Sequence, residues 1–204
     1  MPRKPRRLTE AGVYHIVTRG NNRQKLFRKQ KDYEFYLGLL ERMKEDYEFE
    51  VFHYCLMTNH VHFLMKFYDG ESLQKVMQRV NLRYAKYFCR EYRSAGHVFQ
   101  DRFKSFAIEK DSYLLECGRY IERNPLNAGM VKDLLEYRWS SFVHYGYGCA
   151  DRFLTVNPLY HDLGRSEKER QESYRDYVLT ERPYEEFIDQ GILGNDTRPS
   201  KNRY

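Results

Sequence analysis

Two runs of strand-forming residues, Glu48 to Met57 and His60 to Phe67, are separated only by Thr58-Asn59, and this pair constrains the fold more than any other stretch. Apolar, aromatic and β-branched types dominate both runs, and so short a break suits an antiparallel hairpin. The second run opens with His60-Val61-His62. Successive side chains of a strand point to opposite faces, so His60 and His62 share one face while Val61, Phe63 and Met65 share the other. At a rise of about 3.3 Å per residue their Cα atoms lie ~7 Å apart, a span that two converging imidazoles can close around one cation. Taken alone, such a pair is more often two hydrogen-bonded histidines on a half-buried strand. A metal site needs a further ligand from elsewhere in the chain.

The segments around the hairpin alternate in type. Gly12 to Thr18 reads as a first strand that ends in the basic turn Arg19-Gly20-Asn21-Asn22-Arg23. From Asp32, taken as an N-cap, Tyr36, Leu39, Leu40, Met43 and Tyr47 mark one helical face. Residues 72–93 form a second helix. Leu73, Val76, Met77, Val80 and Tyr84 lie on one side, and Lys75, Arg79, Arg83, Lys86, Arg90 and Arg93 on another. His97 to Ile108 reads as a strand or hairpin carrying Arg102 and Lys104. A third helix starts at Asp111 or Ser112 and is expected to stop near Asn124, because Pro125 disfavours the α conformation of the residue before it. Leu114, Cys117, Gly118 and Ile121 form its core stripe, with Tyr113, Tyr120 and Asn124 about a quarter-turn away on the rim. This order predicts an α+β sandwich with an antiparallel sheet and helices packed on it. Residues 1–150 are expected to form the main domain. Residues 151–204 would add a short helix, about 166–179, and a disordered polar tail.

The charge distribution points to a partner. The net charge is +6, yet residues 1–28 carry eight basic residues against Glu10, and residues 79–104 carry seven against Glu91 and Asp101. Clustering of this kind suits a polyanion, because neutralising phosphates releases counterions. Arg3, Arg6 and Arg7 in the N-terminal arm, Arg19 and Arg23 in the turn, the stripe of residues 72–93, and Arg102 with Lys104 are therefore candidate contacts to nucleic-acid phosphates. Cys55, Cys89, Cys117 and Cys149 are scattered without Cys-x-x-Cys spacing and read as reduced core residues. No apolar run approaches a membrane span, so the expectation is a cytoplasmic, nucleoid-associated protein with no membrane partner, as monomer or homodimer.

Phe52-His53-Tyr54-Cys55-Leu56-Met57-Thr58-Asn59-His60-Val61-His62-Phe63-Leu64 resembles the signature of the single-tyrosine HUH transposases, the IS200-like group, in which two histidines flank one hydrophobic residue. Tyr120 to Val131 is similar to their catalytic-tyrosine helix and its exit. Within that superfamily, Pro2-Arg3-Lys4-Pro5-Arg6, the Tyr14-His15 to Asn21 strand end, His97 to Ser105 and Trp139-Ser140-Ser141 resemble the REP-associated tyrosine transposases, which act on repetitive extragenic palindromes. The likeness spans about residues 2–148 in consistent order.

The resemblance implies a ferredoxin-like core that cleaves and rejoins single-stranded DNA at hairpin-associated sites through a 5′-phosphotyrosine. Tyr120 would be the nucleophile. His60 and His62 would hold a divalent metal, Mg²⁺ or Mn²⁺, that assists a phenol whose ordinary pKa near 10 makes it a weak nucleophile. Relatives often place a glutamine four residues after the tyrosine as third ligand. Here that position is Asn124, one methylene shorter, and Glu116, one turn before Tyr120, is a second candidate. Two other readings stay open: a DNA-binding relative without the chemistry, and a metal-dependent RNA-processing nuclease.

Overall fold

The computed structural model describes residues 11–108 and 112–181. The basic arm with Arg3, Arg6 and Arg7, and the tail expected to be disordered, lie outside the described residues. The elements are β1 (Gly12–Arg19), α1 (Gln30–Asp46), β2 (Phe49–Met57), β3 (His60–Phe67), α2 (Gly70–Tyr92), β4 (Lys104–Ile108), α3 (Ser112–Asn127), α4 (Phe142–Tyr147) and α5 (Glu167–Leu179). The four strands form one sheet in the order β2-β3-β1-β4, with every neighbouring pair antiparallel. This is the ferredoxin-like topology, and it makes β1 and β3 the two central strands.

Strand alternation divides the sheet into two faces. Ile16, Tyr54, Val61, Phe63 and Met65 pack against α1 and α2 in the larger core, with Tyr36, Leu40, Val76, Val80, Tyr84 and Phe88 all buried. Each such side chain contributes roughly 1.5–3 kcal/mol on burial. The other face meets α3, where Val17, Cys55 and Leu64 pack against Leu114, Cys117 and Ile121, so the predicted stripe of that helix is buried as expected. Behind α3, a third cluster of Leu134, Phe142, Tyr145, Tyr160, Tyr174 and Val178 joins α4 and α5 to it.

Several boundaries differ from the sequence reading for local reasons. Asp32 is not the cap of α1 but sits in its first turn, where its carboxylate accepts the N–H groups of Arg28 and Lys29, both at 2.8 Å. The hydroxyls of Tyr87 and Tyr92 also donate to it and fasten α2 to the start of α1. The segment 97–108 forms a strand only from Lys104; before that, Phe99 pairs with Gly20 in an isolated bridge. α3 runs through Pro125 to Asn127. Pro125 has no N–H for the Ile121 carbonyl, and the Asn124 side-chain amide donates there instead at 3.2 Å, as well as to the Tyr120 carbonyl at 2.9 Å. Two residues past its end the chain turns away at Gly129, whose φ of +65° suits a residue without Cβ. Among the cysteines, Cys55 and Cys117 are buried but Cys149 is exposed. No helix among the described residues is long and apolar enough to cross a membrane.

Candidate active site

The register of the two central strands builds the site. Arg19 lies opposite His60, Val17 opposite His62, and His15 opposite Leu64. Directly opposed residues of an antiparallel pair share a face, so His15, Arg19, His60 and His62 all point toward α3. His15 Nε2 lies 3.0 Å from His62 Nδ1, and the two rings stack with centroids 5.2 Å apart. The His60 and His62 rings are 4.9 Å apart and nearly perpendicular. His60 Nδ1 is 2.6 Å from Asn59 Oδ1, within the turn that precedes β3. Both histidines of the His-x-His pair are therefore held through Nδ1, which leaves each Nε2 as the remaining ring nitrogen.

Tyr120 lies over this group. Its ring stands edge-on to His15 and to His62, with both centroid distances 5.9 Å, and the residue is 8% exposed. The rim position expected for it is corrected: α3 lies flat enough on the sheet to bury Tyr120, while Tyr113, two turns earlier, stays 48% exposed. Asn124 lies close enough to His60 to oppose the lowering of its pKa. Glu116 is half-buried on α3, one turn before Tyr120.

Burial sets the charge state here. It lowers the pKa of His15 to about 3 and, with help from Arg19, that of His60 to about 4 against the opposing influence of Asn124. His62 is pushed well below its ordinary value by burial, then by His60, His15 and Arg19. All three imidazoles are neutral at pH 7, the form that has a lone pair to offer a metal. His60, His62 and the Asn124 amide supply the donor types of an open divalent site. Among the described residues no three His, Cys, Asp or Glu side chains converge into a closed one.

The far side of α3 fixes where Tyr120 sits. The Glu122 carboxylate is fully buried and accepts from His53 Nδ1 at 2.9 Å, Ser141 Oγ at 2.5 Å and Tyr174 Oη at 2.7 Å. Asn157 Nδ2 lies 3.0 Å from the other nitrogen of His53, which orients that ring. Arg119 donates to the carbonyls of Tyr177 and Thr180, and Arg123 to those of Val178 and Leu179. These are the carbonyls a helix end leaves unbonded, at the negative end of the α5 dipole. The tyrosine helix is thus held between the sheet on one side and α5 on the other.

The predicted DNA contacts fall into two groups. Arg19 and Lys104 are on the histidine face by register, Arg23 lies beside the turn before His60, and Arg102 is exposed in the loop packed at the end of β1. Lys75, Arg79, Arg83, Lys86 and Arg90 are exposed on α2, in the layer on the opposite side of the sheet. Nor is that stripe free of acids: Lys75 pairs with Glu71 at 2.7 Å and Arg79 lies 3.6 Å from Asp46.

Sequence reasoning did not assign roles to His15, His53, Arg119, Glu122 or Arg123. His15 lies 47 residues from His62, and only the strand register brings them together. The charges of α3 at 119, 122 and 123 find their partners only in distant segments, among them α5.

The fold thus packs Tyr120 over the pair His60 and His62 on a central strand, the three residues that the resemblance to single-tyrosine transposases singled out in the sequence. The model of the family described as IS200-like transposases matches residues 9–124, more than half of the chain, and the chain belongs to that family of enzymes. A protein of Haemophilus influenzae strain Rd described as a REP-associated tyrosine transposase is 26% identical, over 67% of this chain and 83% of that one. The solved structure of a REP-associated tyrosine transposase bound to a REP hairpin superposes with a TM-score of 0.61 at 18% identity, covering 76% of this chain and 92% of that chain. That likeness establishes a shared fold.

Proposed function

We propose that this transposase cleaves and rejoins single-stranded DNA beside hairpins, with Tyr120 as nucleophile and a 5′-phosphotyrosine as intermediate. The observation that carries the reading is the packing of the Tyr120 ring edge-on against His62, over a face where His60, His62 and Asn124 meet. Attack by the Tyr120 phenolic oxygen forms one P–O bond and breaks the bond to the 3′-oxygen. The phenol's proton is balanced by the proton taken up by the departing 3′-hydroxyl. One phosphodiester replaces another, so the step is reversible and needs no nucleotide cofactor.

His60, His62 and Asn124 would hold a divalent ion, Mg²⁺ or Mn²⁺, with Glu116 as the alternative third donor. When bound, the ion supplies Lewis-acid stabilisation of charge at the phosphate. His15 keeps the His62 ring oriented through the bond at Nδ1, as outer partners of ligating histidines do. Arg19 and Lys104, on the same face, would meet phosphates next to the scissile one, while the α2 stripe would hold DNA away from it. The hairpin bound by the solved relative supports a hairpin-bearing substrate here.

The test is a labelled single strand carrying a hairpin, incubated with the protein and divalent metal and run under denaturing conditions. Label travelling with wild-type protein, lost with chelator and absent from Tyr120→Phe, is the expected result. Cleavage without an adduct would replace this reading with a hydrolytic nuclease. Binding without cleavage would leave a DNA-binding relative.

A further inference from the structure

A cavity of about 520 Å³ opens at the β2 edge of the sheet, outside the histidine and tyrosine cluster. Its wall includes Lys25, Lys29, Tyr33, Thr58, Arg138 and Trp139, and no acidic side chain lines it among the described residues. Three rings form one stack beside it: Phe27 on Tyr33 with centroids 4.4 Å apart, then Tyr33 on Trp139 at 4.4 Å and 8° between planes. Trp139 is the outermost ring, and the Arg138 guanidinium lies 4.6 Å over it. Lys25, Lys29 and Arg138 are exposed around the opening.

The cavity is rigidly joined to the cleavage site. Thr58 lies two residues before His60, and its carbonyl accepts the N–H groups of Leu26 at 2.8 Å and Phe27 at 3.1 Å. Trp139 is tied to β2 by the bond from Leu56 N to its carbonyl, 2.9 Å. A volume in the range of nucleotide-sized ligands, a flat indole at the end of a ring stack and a cationic rim select a ligand with both a planar ring and a phosphate. A base inside a duplex has neighbours on both faces and cannot offer one to an indole; an unpaired base can.

We propose that this cavity binds one unpaired nucleotide of the DNA strand, its base entering between Arg138 and Trp139 on the indole face that the guanidinium now covers, opposite Tyr33, and its phosphate held by Lys25 and by Lys29, which gives up its 3.8 Å contact with Glu91. The proposal rests on the reading of the protein as a single-strand DNA transposase and adds a base-binding pocket next to its cleavage site.

Trp139 is the only tryptophan in the sequence, so its fluorescence reports on this cavity directly. The experiment titrates the full chain carrying Tyr120→Phe with single-stranded tetranucleotides and, separately, with a blunt duplex. The single strands should quench the tryptophan and the duplex should not. Arg138→Ala and Lys25→Ala should each weaken the quenching titration several-fold. Trp139→Leu should lower single-strand affinity by about 5- to 150-fold, the equivalent of the roughly 1–3 kcal/mol of one base–aromatic stack. If Trp139→Leu does not fold, Arg138→Ala and the fluorescence of the intact indole still decide. Single-strand binding with unchanged fluorescence and unchanged affinity in Arg138→Ala overturns the pocket and leaves the transposase reading standing. Equal quenching by duplex overturns the unpaired-base assignment, and failure of the parent to bind any single strand overturns both readings.

Discussion

Gly118 is where the packing of the tyrosine helix can be tested against its intrinsic preference. It sits on α3 against the His53 ring, and a Cβ built there would lie 2.7 Å from three ring atoms, whereas ordinary contact begins at 3.4 Å. The ring cannot yield easily, since Glu122 and Asn157 hold its two nitrogens and Tyr145 stacks on it at 4.6 Å. Relieving the clash in Gly118→Ala therefore requires α3 to lift by about 0.7 Å, the difference between those two distances. Helix propensity alone would make alanine more stable by about 1 kcal/mol. Overpacking of a filled core costs about 1–3 kcal/mol, so the net expectation is a loss of roughly 1–2 kcal/mol. Tyr120 moves with the helix, and a displacement approaching 1 Å at a reacting group costs up to ~100-fold in rate. Urea unfolding and single-turnover cleavage of the same variant provide the two readouts. Lower stability with at least a tenfold loss of cleavage, at unchanged DNA affinity, is the expected outcome. A variant that is more stable and cleaves at the parent rate would refute the argument that the His53 contact sets the position of α3.

Three further outcomes follow from the same geometry. Tyr174→Phe removes one hydroxyl from the buried Glu122 carboxylate, which should cost about 2 kcal/mol and lower Tm by ~4–8 °C in a thermal melt; an unchanged Tm would show that the bond contributes nothing net. His15→Phe keeps a stacked aromatic ring but loses the bond to His62 Nδ1, so Mn²⁺ affinity measured by titration should fall about 10- to 100-fold while the fold survives; unchanged affinity would reduce His15 to a packing residue. Arg83 and Lys86 make no ion pair among the described residues, and replacing both by Gln should reduce the slope of log K against log salt for hairpin DNA by roughly 0.9 for each phosphate no longer neutralised; an unaltered slope would mark the α2 stripe as a solvated face.

Features set by local pattern were legible in the sequence. The hairpin around Thr58-Asn59 emerges within a residue of its expected bounds because both runs are dominated by strand-forming residues and the turn is short, although β2 carries a register shift between Val51 and His53 that no alternation in the sequence announces. The core stripe of α3 is buried as its spacing predicts. The family motifs, not periodicity, single out Tyr120 among nineteen tyrosines, and the fold brings it to the histidines. What pattern could not reveal depends on contacts between distant segments. His15 joins His62 only through the pairing of β1 with β3, and Glu122 is a buried hub only because α5 closes over α3. The expected stop at Asn124 failed because the Asn124 side chain itself serves the carbonyl that Pro125 leaves unbonded. The even basic stripe of α2 hid two ion pairs, one with an acid one turn away and one with Asp46 at the end of α1.

The central claim, that Tyr120 carries the covalent intermediate, is tested most directly by peptide mapping. Arg119 and Arg123 flank it, so trypsin releases Tyr120-Ile121-Glu122-Arg123 as a tetrapeptide. After reaction with single-stranded hairpin DNA in divalent metal, denaturation, and nuclease and trypsin digestion, mass spectrometry should find the nucleotide mass on this tetrapeptide in wild-type protein and nowhere in Tyr120→Phe. The same mass on another tyrosine peptide, such as the one bearing Tyr113, or efficient cleavage with no modified peptide, would contradict the account.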